Sequence, residues 1–149
     1  MTAVGASLII ALALLLIVWV WLVRRRDSAR RREHAHRLSR ELLPEIRAIV
    51  ASSDPHGATE GRPADAVVYR RHRDELAPLL SEECLYAVEL FYRSVEAYDA
   101  ARVAVLEAFR DDSDLTLGDR IRAKDHRDRC LKDVYFTGEA AAQKLEAMR

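Results

Sequence analysis

Apolar and polar positions divide the chain into one continuous apolar run and several stretches with a helical period. The run, residues 3–23 (AVGASLIIALALLLIVWVWLV), contains no charged side chain. A helix of these 21 residues, at about 1.5 Å per residue, is ~31 Å long and matches a hydrocarbon core of about 30 Å. No basic residue precedes the run and no small-residue cleavage site ends it, which disfavours a cleaved signal peptide. The pattern therefore predicts a single N-terminal transmembrane helix over residues 1–23.

An arginine-rich segment, the basic collar, follows the apolar run directly. Its members are Arg24, Arg25, Arg26, Arg30, Arg31 and Arg32. Because basic residues beside a membrane span stay on the cytoplasmic side, the collar predicts a single-pass cell-membrane protein with its N-terminus outside and its C-terminal domain in the cytoplasm. Trp19 and Trp21 fit an aromatic interface belt. The collar also predicts a lipid partner, the anionic inner leaflet of the bilayer.

The rest of the chain shows helical periodicity with one clear interruption. Apolar residues from Leu38 to Val50 share one helical face, which predicts a basic juxtamembrane helix over 24–51, either kinked or interrupted at Pro44. Residues 52–63 hold Pro and Gly without apolar periodicity and predict a linker loop. Residues 64–149 predict a helical bundle domain, with Ser81 as one N-cap and a capping box that begins at Thr116.

One apolar seam gives the strongest indication of a bundle. It steps by four and three residues, like a coiled coil, through Cys84, Val88, Phe91, Val95, Tyr98, Arg102, Val105 and Phe109. Leu85, Leu90 and Leu106 widen it, as is typical of a bundle core. The sequence therefore predicts an all-α protein in which the membrane helix and the basic helix precede a small antiparallel bundle of three to four helices.

Arg102 breaks the apolar pattern of this seam. A buried, unpaired guanidinium is very unfavourable. We therefore expect Arg102 either to extend to the surface or to meet an acid on a neighbouring helix, and it is the candidate interaction residue of the bundle.

Charge and candidate chemistry narrow the function. The formal net charge is zero, yet residues 24–40 carry +6 and residues 41–149 carry −6. The acidic bundle and the lack of interleaved aromatics in the collar argue against a nucleic-acid partner. His126 and Cys130 share a helix face without the two further ligands that zinc needs. Since nucleotide-binding and nucleophile motifs are also missing, we expect no catalytic, cofactor-binding or metal residues, no cofactor and no enzyme activity.

These features favour a bacterial-type, membrane-anchored helical interaction or scaffold protein that binds an unknown protein partner or itself. Two alternatives stay open. One is a membrane-tethered sensor or ligand-binding module, in which the bundle holds a small molecule among its tyrosines. The other is an extracytoplasmic bundle on the same anchor.

Overall fold

The structure is a computed structural model, and it describes the chain over residues 3–53, 65–110 and 114–148. The side chains of residues 3–11 and 13 are outside this description. Four α-helices account for most of these ranges, which contain no strand: α1 (Ala3–Ser52), α2 (Val67–Leu79), α3 (Glu82–Ala108) and α4 (Leu117–Glu146). The all-α prediction and the helical bundle are therefore confirmed, whereas the predicted domain boundaries stay predictions. Most of the predicted linker, 54–63, lies outside the described residues.

The predicted single-pass membrane localisation is wrong. Within the described residues, no helix offers a segment that is both long enough and apolar enough to cross a membrane. The described side chains of the predicted span, Leu12 and those of residues 14–23, are almost all exposed and lead directly into the basic collar. The start of the predicted span has no described side chains. The predicted orientation across a membrane is withdrawn with the localisation.

Helix α1 continues through Pro44 rather than ending there. Pro44 is exposed, whereas Leu43 and Ile46 on either side of it are fully buried, so the proline ring lies away from the core. Burial in α1 begins at Ala35 and extends to Val50. The C-terminal third of α1 is thus a full member of the bundle, and the fourth helix predicted from its apolar face is present.

The core forms where α1, α3 and α4 meet. Its apolar side chains without measurable exposure are Leu42, Ile46, Ile49, Val88, Phe91, Val134, Ala141 and Leu145. Helix α2 contributes less, because Tyr69 and Leu76 are its only buried residues. Burial of apolar area of this kind is the main favourable term in folding. The bundle therefore depends on α1, α3 and α4, and α2 lies on their outside.

Contacts between α3 and α4 fix their antiparallel arrangement. Lys144 Nζ donates to Glu83 Oε2 at 2.7 Å near one end, and the Arg120 guanidinium lies 5.7 Å from the centre of the Phe109 ring near the other. The N-cap predictions at both helices are confirmed. Ser81 accepts from the Cys84 N–H, and Thr116 and Asp119 form the capping box.

The antiparallel pair α3 and α4 forms a helical hairpin. Helix α1 runs antiparallel to α4 and covers only part of this hairpin. The Ser39 hydroxyl donates to the Leu145 carbonyl, and Val50 packs beside Gly138. Since α1 ends at Ser52, it does not extend along the rest of α4 toward the connection with α3. We call the part of the α3–α4 pair beyond the end of α1, residues 96–110 and 114–133, the hairpin tip.

Candidate functional site

The first polar feature of the molecule joins α2 to the bundle through Glu45 of α1. Glu45 Oε2 accepts from the Val68 N–H at 2.6 Å, and Oε1 accepts from the Tyr69 N–H at 3.1 Å. The first backbone N–H groups of a helix have no partner within the helix, and Ala66 at the N-cap carries no polar side chain. A carboxylate from another helix therefore takes the place of a local cap.

Tyr92 of α3 completes this contact. Its hydroxyl donates to Glu45 Oε1 at 2.6 Å, and its ring stacks on that of Tyr69 with the centroids 3.8 Å apart. Burial, and secondarily the hydrogen bond to Glu45, raise the pKa of Tyr92 far above its usual value. Tyr92 therefore stays a neutral donor, and Glu45 links α1, α2 and α3.

A second polar feature lies further along the same α1–α2 interface, and we call it the His–Glu ladder. His72 Nδ1 lies 3.3 Å from Glu75 Oε2, and His72 Nε2 lies 3.4 Å from Glu41 Oε2. His34 Nε2 lies 3.4 Å from the same Glu75 oxygen. Arg37 Nε donates to the other oxygen of Glu41 at 3.2 Å. Histidine and carboxylate thus alternate from His34 through Glu75 and His72 to Glu41. Two of the three contacts join α1 to α2, and the third lies within α2.

The ladder does not form a metal centre. No group of three or more His, Cys, Asp or Glu side chains in the described part of the chain is arranged to hold a metal ion. In the ladder this has a geometric reason: Glu41 and Glu75 lie at opposite ring nitrogens of His72, so their oxygens do not converge on one point.

The cysteines show no sign of a reactive thiol. Cys130 Sγ lies 3.9 Å from His126 Nε2, and both Cys84 and Cys130 are buried. Desolvation by burial raises the pKa of each thiol, which disfavours the thiolate that nucleophilic chemistry needs.

A small cavity lies between α2 and α3, beside the stacked tyrosines. Its volume is about 150 Å³, and Tyr69, Tyr92, Glu96 and Asp99 are among its lining residues. Both tyrosine rings are buried and cover each other. With a volume of about 150 Å³, the cavity can hold only a small molecule.

The remaining feature is apolar: a set of exposed apolar side chains lies at the hairpin tip. Their exposed fractions are 46% for Val103, 60% for Leu106, 51% for Phe109, 72% for Leu117 and 51% for Ile121. Leu106 follows the buried Tyr92 by two heptads and Ile121 precedes the buried Ala142 by three, so each lies on the same side of its helix as a buried residue nearer to the core. We call these five residues the tip patch.

The residues that the sequence singled out lie apart from these features. Arg24, Arg25, Arg26, Arg30, Arg31 and Arg32 are all exposed on α1, before its buried part. Trp19 and Trp21 are exposed as well, and the Arg25 guanidinium lies 5.2 Å from the centre of the Trp21 ring. Their assigned roles as a collar and an interface belt required a membrane span. Those roles are not carried further.

Arg102 lies near the hairpin tip and is half-buried. Its Nε is 3.7 Å from Asp99 Oδ1, one turn earlier on α3, so the acid it meets is on its own helix and not on a neighbour. Neither of these two atoms has a hydrogen-bond partner among the described residues. Arg102 thus avoids an unpaired buried charge through a local ion pair.

Sequence reasoning missed the Glu45 contacts, the His–Glu ladder and the tip patch. His34 precedes Leu38 by four positions, and Glu41 and Glu45 follow Leu38 and Leu42 by three. This placement beside apolar residues was the available signal. Leu106 and Phe109 were expected in the bundle core. Compared with known proteins, the chain matches no family model, no curated protein and no solved structure.

Proposed function

We propose that this chain is a helical interaction module that binds another protein chain through the tip patch. The observation that carries the proposal is the presence of five exposed apolar side chains where α3 and α4 extend past the end of α1. Soluble domains rarely leave large contiguous apolar patches exposed unless they bind something there.

The arrangement of the bundle supports a helix as the bound element. Further along the hairpin, α1 packs against α4, where Val50 and the buried Phe91 both lie beside Gly138. A helix from a partner, laid over Leu106 and Ile121, would continue the layer that α1 forms. In such helix-in-groove binding, apolar side chains at helical spacing on the partner helix pack into an apolar groove.

Site-specific photo-cross-linking in cells that make the full chain tests this proposal. A photoreactive amino acid at position 106 or 121 should give a discrete adduct that mass spectrometry identifies as a second copy or another protein. Tyr86 provides the matched control, because it is 66% exposed but lies near the start of α3, far from the tip. Equal adducts at position 86, or none at the tip, would contradict the proposal.

Charge substitutions separate binding from folding. Leu106→Glu and Ile121→Glu place a carboxylate at exposed positions, so helix content should be unchanged while the adduct is lost. Tyr86→Glu should leave the adduct intact. Loss of the adduct in all three variants would point to a general effect of added charge and contradict a specific tip surface.

A second candidate function is small-ligand binding, which the cavity beside Tyr69 and Tyr92 favours. An apolar cavity of about 150 Å³ is large enough to hold benzene. This cavity has a similar volume, but Glu96 and Asp99 line it together with the two tyrosines. Tyrosine NMR shifts during titration with small amines and phenols test it, with Tyr92→Phe as the variant. Unchanged tyrosine signals across such a set would exclude this candidate.

A further inference from the structure

Exposed apolar residues lie at both ends of the molecule. At one end is the tip patch, and at the other is the N-terminal part of α1, where Leu12 and residues 14–23 are almost all exposed. Among the described side chains of α1, Ala35 is the first that is buried, and the helix ends at Ser52, where the hairpin tip begins. Because α1 is one continuous helix, its apolar N-terminal part extends away from its own tip patch and cannot cover it.

One side of α3 joins acidic residues to part of the tip patch. Four residues follow one another at steps of three or four positions, which places them on the same side of the helix. They are Glu96, Asp99, Val103 and Leu106. Three of them are exposed, and the Asp99 side chain is 45% exposed. Asp99 Oδ1 lies 3.7 Å from Arg102 Nε, beyond hydrogen-bond distance, and has no hydrogen-bond partner among the described residues. This side of α3 therefore offers carboxylates to a cation and, further along, an apolar surface.

The N-terminal part of α1 carries the complementary pattern. Four exposed residues share one side of this helix at the same steps of three and four positions. They are Trp19, Val23, Arg26 and Arg30. Seven positions separate Trp19 from Arg26, and seven separate Leu106 from Asp99. The other two apolar residues and the other two charged residues repeat this spacing one turn further along. A copy of α1 laid antiparallel on α3 would therefore match both apolar pairs and both ion pairs in one register.

We propose that a second copy of this chain covers the tip patch with residues 14–30 of its α1, laid antiparallel to α3. This inference rests on the proposed function and names the bound element. The two apolar residues of that α1 pack against the tip patch, and its two arginines lie beside Asp99 and Glu96. The contact is made twice in a two-fold symmetric pair, because each copy offers both surfaces.

The distribution of charge favours this partner and this direction. Residues 24–40 carry +6 and residues 41–149 carry −6, so the basic part of one copy is attracted to the bundle of another. Parallel pairing of the two apolar segments would instead bring the basic collars of both copies together, with six arginines in each. Antiparallel contact with α3 keeps the collars apart and gives Arg26 and Arg30 carboxylate partners.

Photo-cross-linking between two differently tagged copies of the full chain tests the proposal in cells. One copy carries a photoreactive amino acid at position 19, and the other is unmodified. The adduct should contain both tags, with the cross-link within residues 96–110 of the unmodified copy. Position 21 is the matched control, because Trp21 is 56% exposed but lies on the opposite side of α1. Absence of a doubly tagged adduct, a cross-link outside the tip, an equal yield at position 21 or adducts with lipid alone would overturn the proposal.

Charge reversal tests the register. Arg30→Glu or Glu96→Arg alone should lower the yield of doubly tagged adduct about two- to fivefold, as expected for an exposed ion pair, and the double variant should restore it. Arg32→Glu makes the same change of charge on the opposite side of α1 and should leave the yield unchanged. A double variant that stays weak, or an equal loss in Arg32→Glu, would refute this register.

A photoreactive residue at position 106 separates this inference from the proposed function. Adducts at position 106 with a different protein, and none between copies, would overturn this inference and leave the proposed function in place. If position 106 gives no adduct with any protein chain, both are wrong.

Discussion

Replacement of Gly138 by alanine tests the packing of the three main helices directly. Gly138 is buried in α4, where the chain passes close to α1 and α3. A Cβ atom at this position would overlap Cγ2 of Val50 and lie 2.9 Å from Cε2 of Phe91. Both neighbours are buried and Phe91 has no exposed area, so neither side chain has free space to move into.

Two effects of opposite sign decide the outcome. Alanine favours a helix interior over glycine by about 0.8–1.0 kcal/mol. Overpacking of a close-packed core is unfavourable by about 1–3 kcal/mol, and occasionally by more. Because the added atom meets two buried side chains from two helices, we expect the upper part of that range. Gly138→Ala should therefore lower the free energy of unfolding by about 1–2 kcal/mol.

Urea unfolding followed by circular dichroism measures this change, and Gly118→Ala is its control. Gly118 lies in the first turn of α4, where an added Cβ would have Thr116 Oγ1 as its nearest neighbour, at an ordinary contact distance of 3.7 Å. The same substitution there should be neutral or stabilising by up to about 1 kcal/mol.

A second-site change identifies the cause. Val50→Ala removes the side-chain atom that the new Cβ would overlap. In the double variant, Gly138→Ala should therefore destabilise less than it does alone, with a coupling of about 0.5–3 kcal/mol in a double-mutant cycle. Stabilisation by Gly138→Ala, or additive effects of the two changes, would refute the proposed close approach.

Three further predictions concern the polar contacts and the thiols. Glu45→Gln should lower the free energy of unfolding by about 1–3 kcal/mol, measured by urea unfolding, because an amide cannot accept all three hydrogen bonds. Hydrogen bonds from Thr116 and Arg122 lower the pKa of Asp119 to about 2. A carboxyl group whose pKa is lowered by folding stabilises the fold at pH values above its unfolded pKa. This contribution is lost as the pH falls through its folded pKa. Asp119→Asn should therefore destabilise the chain at pH 6 and have little effect at pH 2, by thermal melts. Cys84 and Cys130 should react with Ellman's reagent only at the rate of unfolding, since both are buried; rapid labelling of the native chain would contradict this.

Local signals predicted the bundle well because they act over short distances. The cap at Ser81 and the capping box at Thr116 require residues only three positions apart, and both are present. The seam of α3 from Cys84 to Tyr98 is buried as its period indicates. These features depend on one helix and its own geometry.

Apolar periodicity was less informative about where the core ends. Leu106 and Phe109 continue the apolar pattern of α3, yet they are more than half exposed because α1 ends at Ser52 and does not extend along the hairpin tip. The period identifies the face of a helix that can be buried. It does not identify which part of that face another helix reaches.

The apolar N-terminal segment of α1 shows that composition is also insufficient without contacts. Its composition alone predicted a membrane span, and the described residues do not contain one. In the buried part of α1, by contrast, the apolar residues alternate with polar ones, and the helix binds its neighbours through both. Leu42 and Ile46 enter the core while Glu41 and Glu45 contact α2.

The contacts of Glu45 show why the polar sites were not predicted. Its partners lie 23, 24 and 47 residues away in sequence, on two other helices. On a helical wheel, a glutamate beside buried leucines is indistinguishable from a solvated charge at the edge of an apolar face. Only the antiparallel docking of α2 brings unsatisfied N–H groups to that carboxylate, and the same docking aligns His72 with Glu41 and Glu75 with His34. The polar contacts and the position of α2 are therefore determined together, so a substitution at Glu45 or His72 should move α2 while leaving α3 and α4 in place.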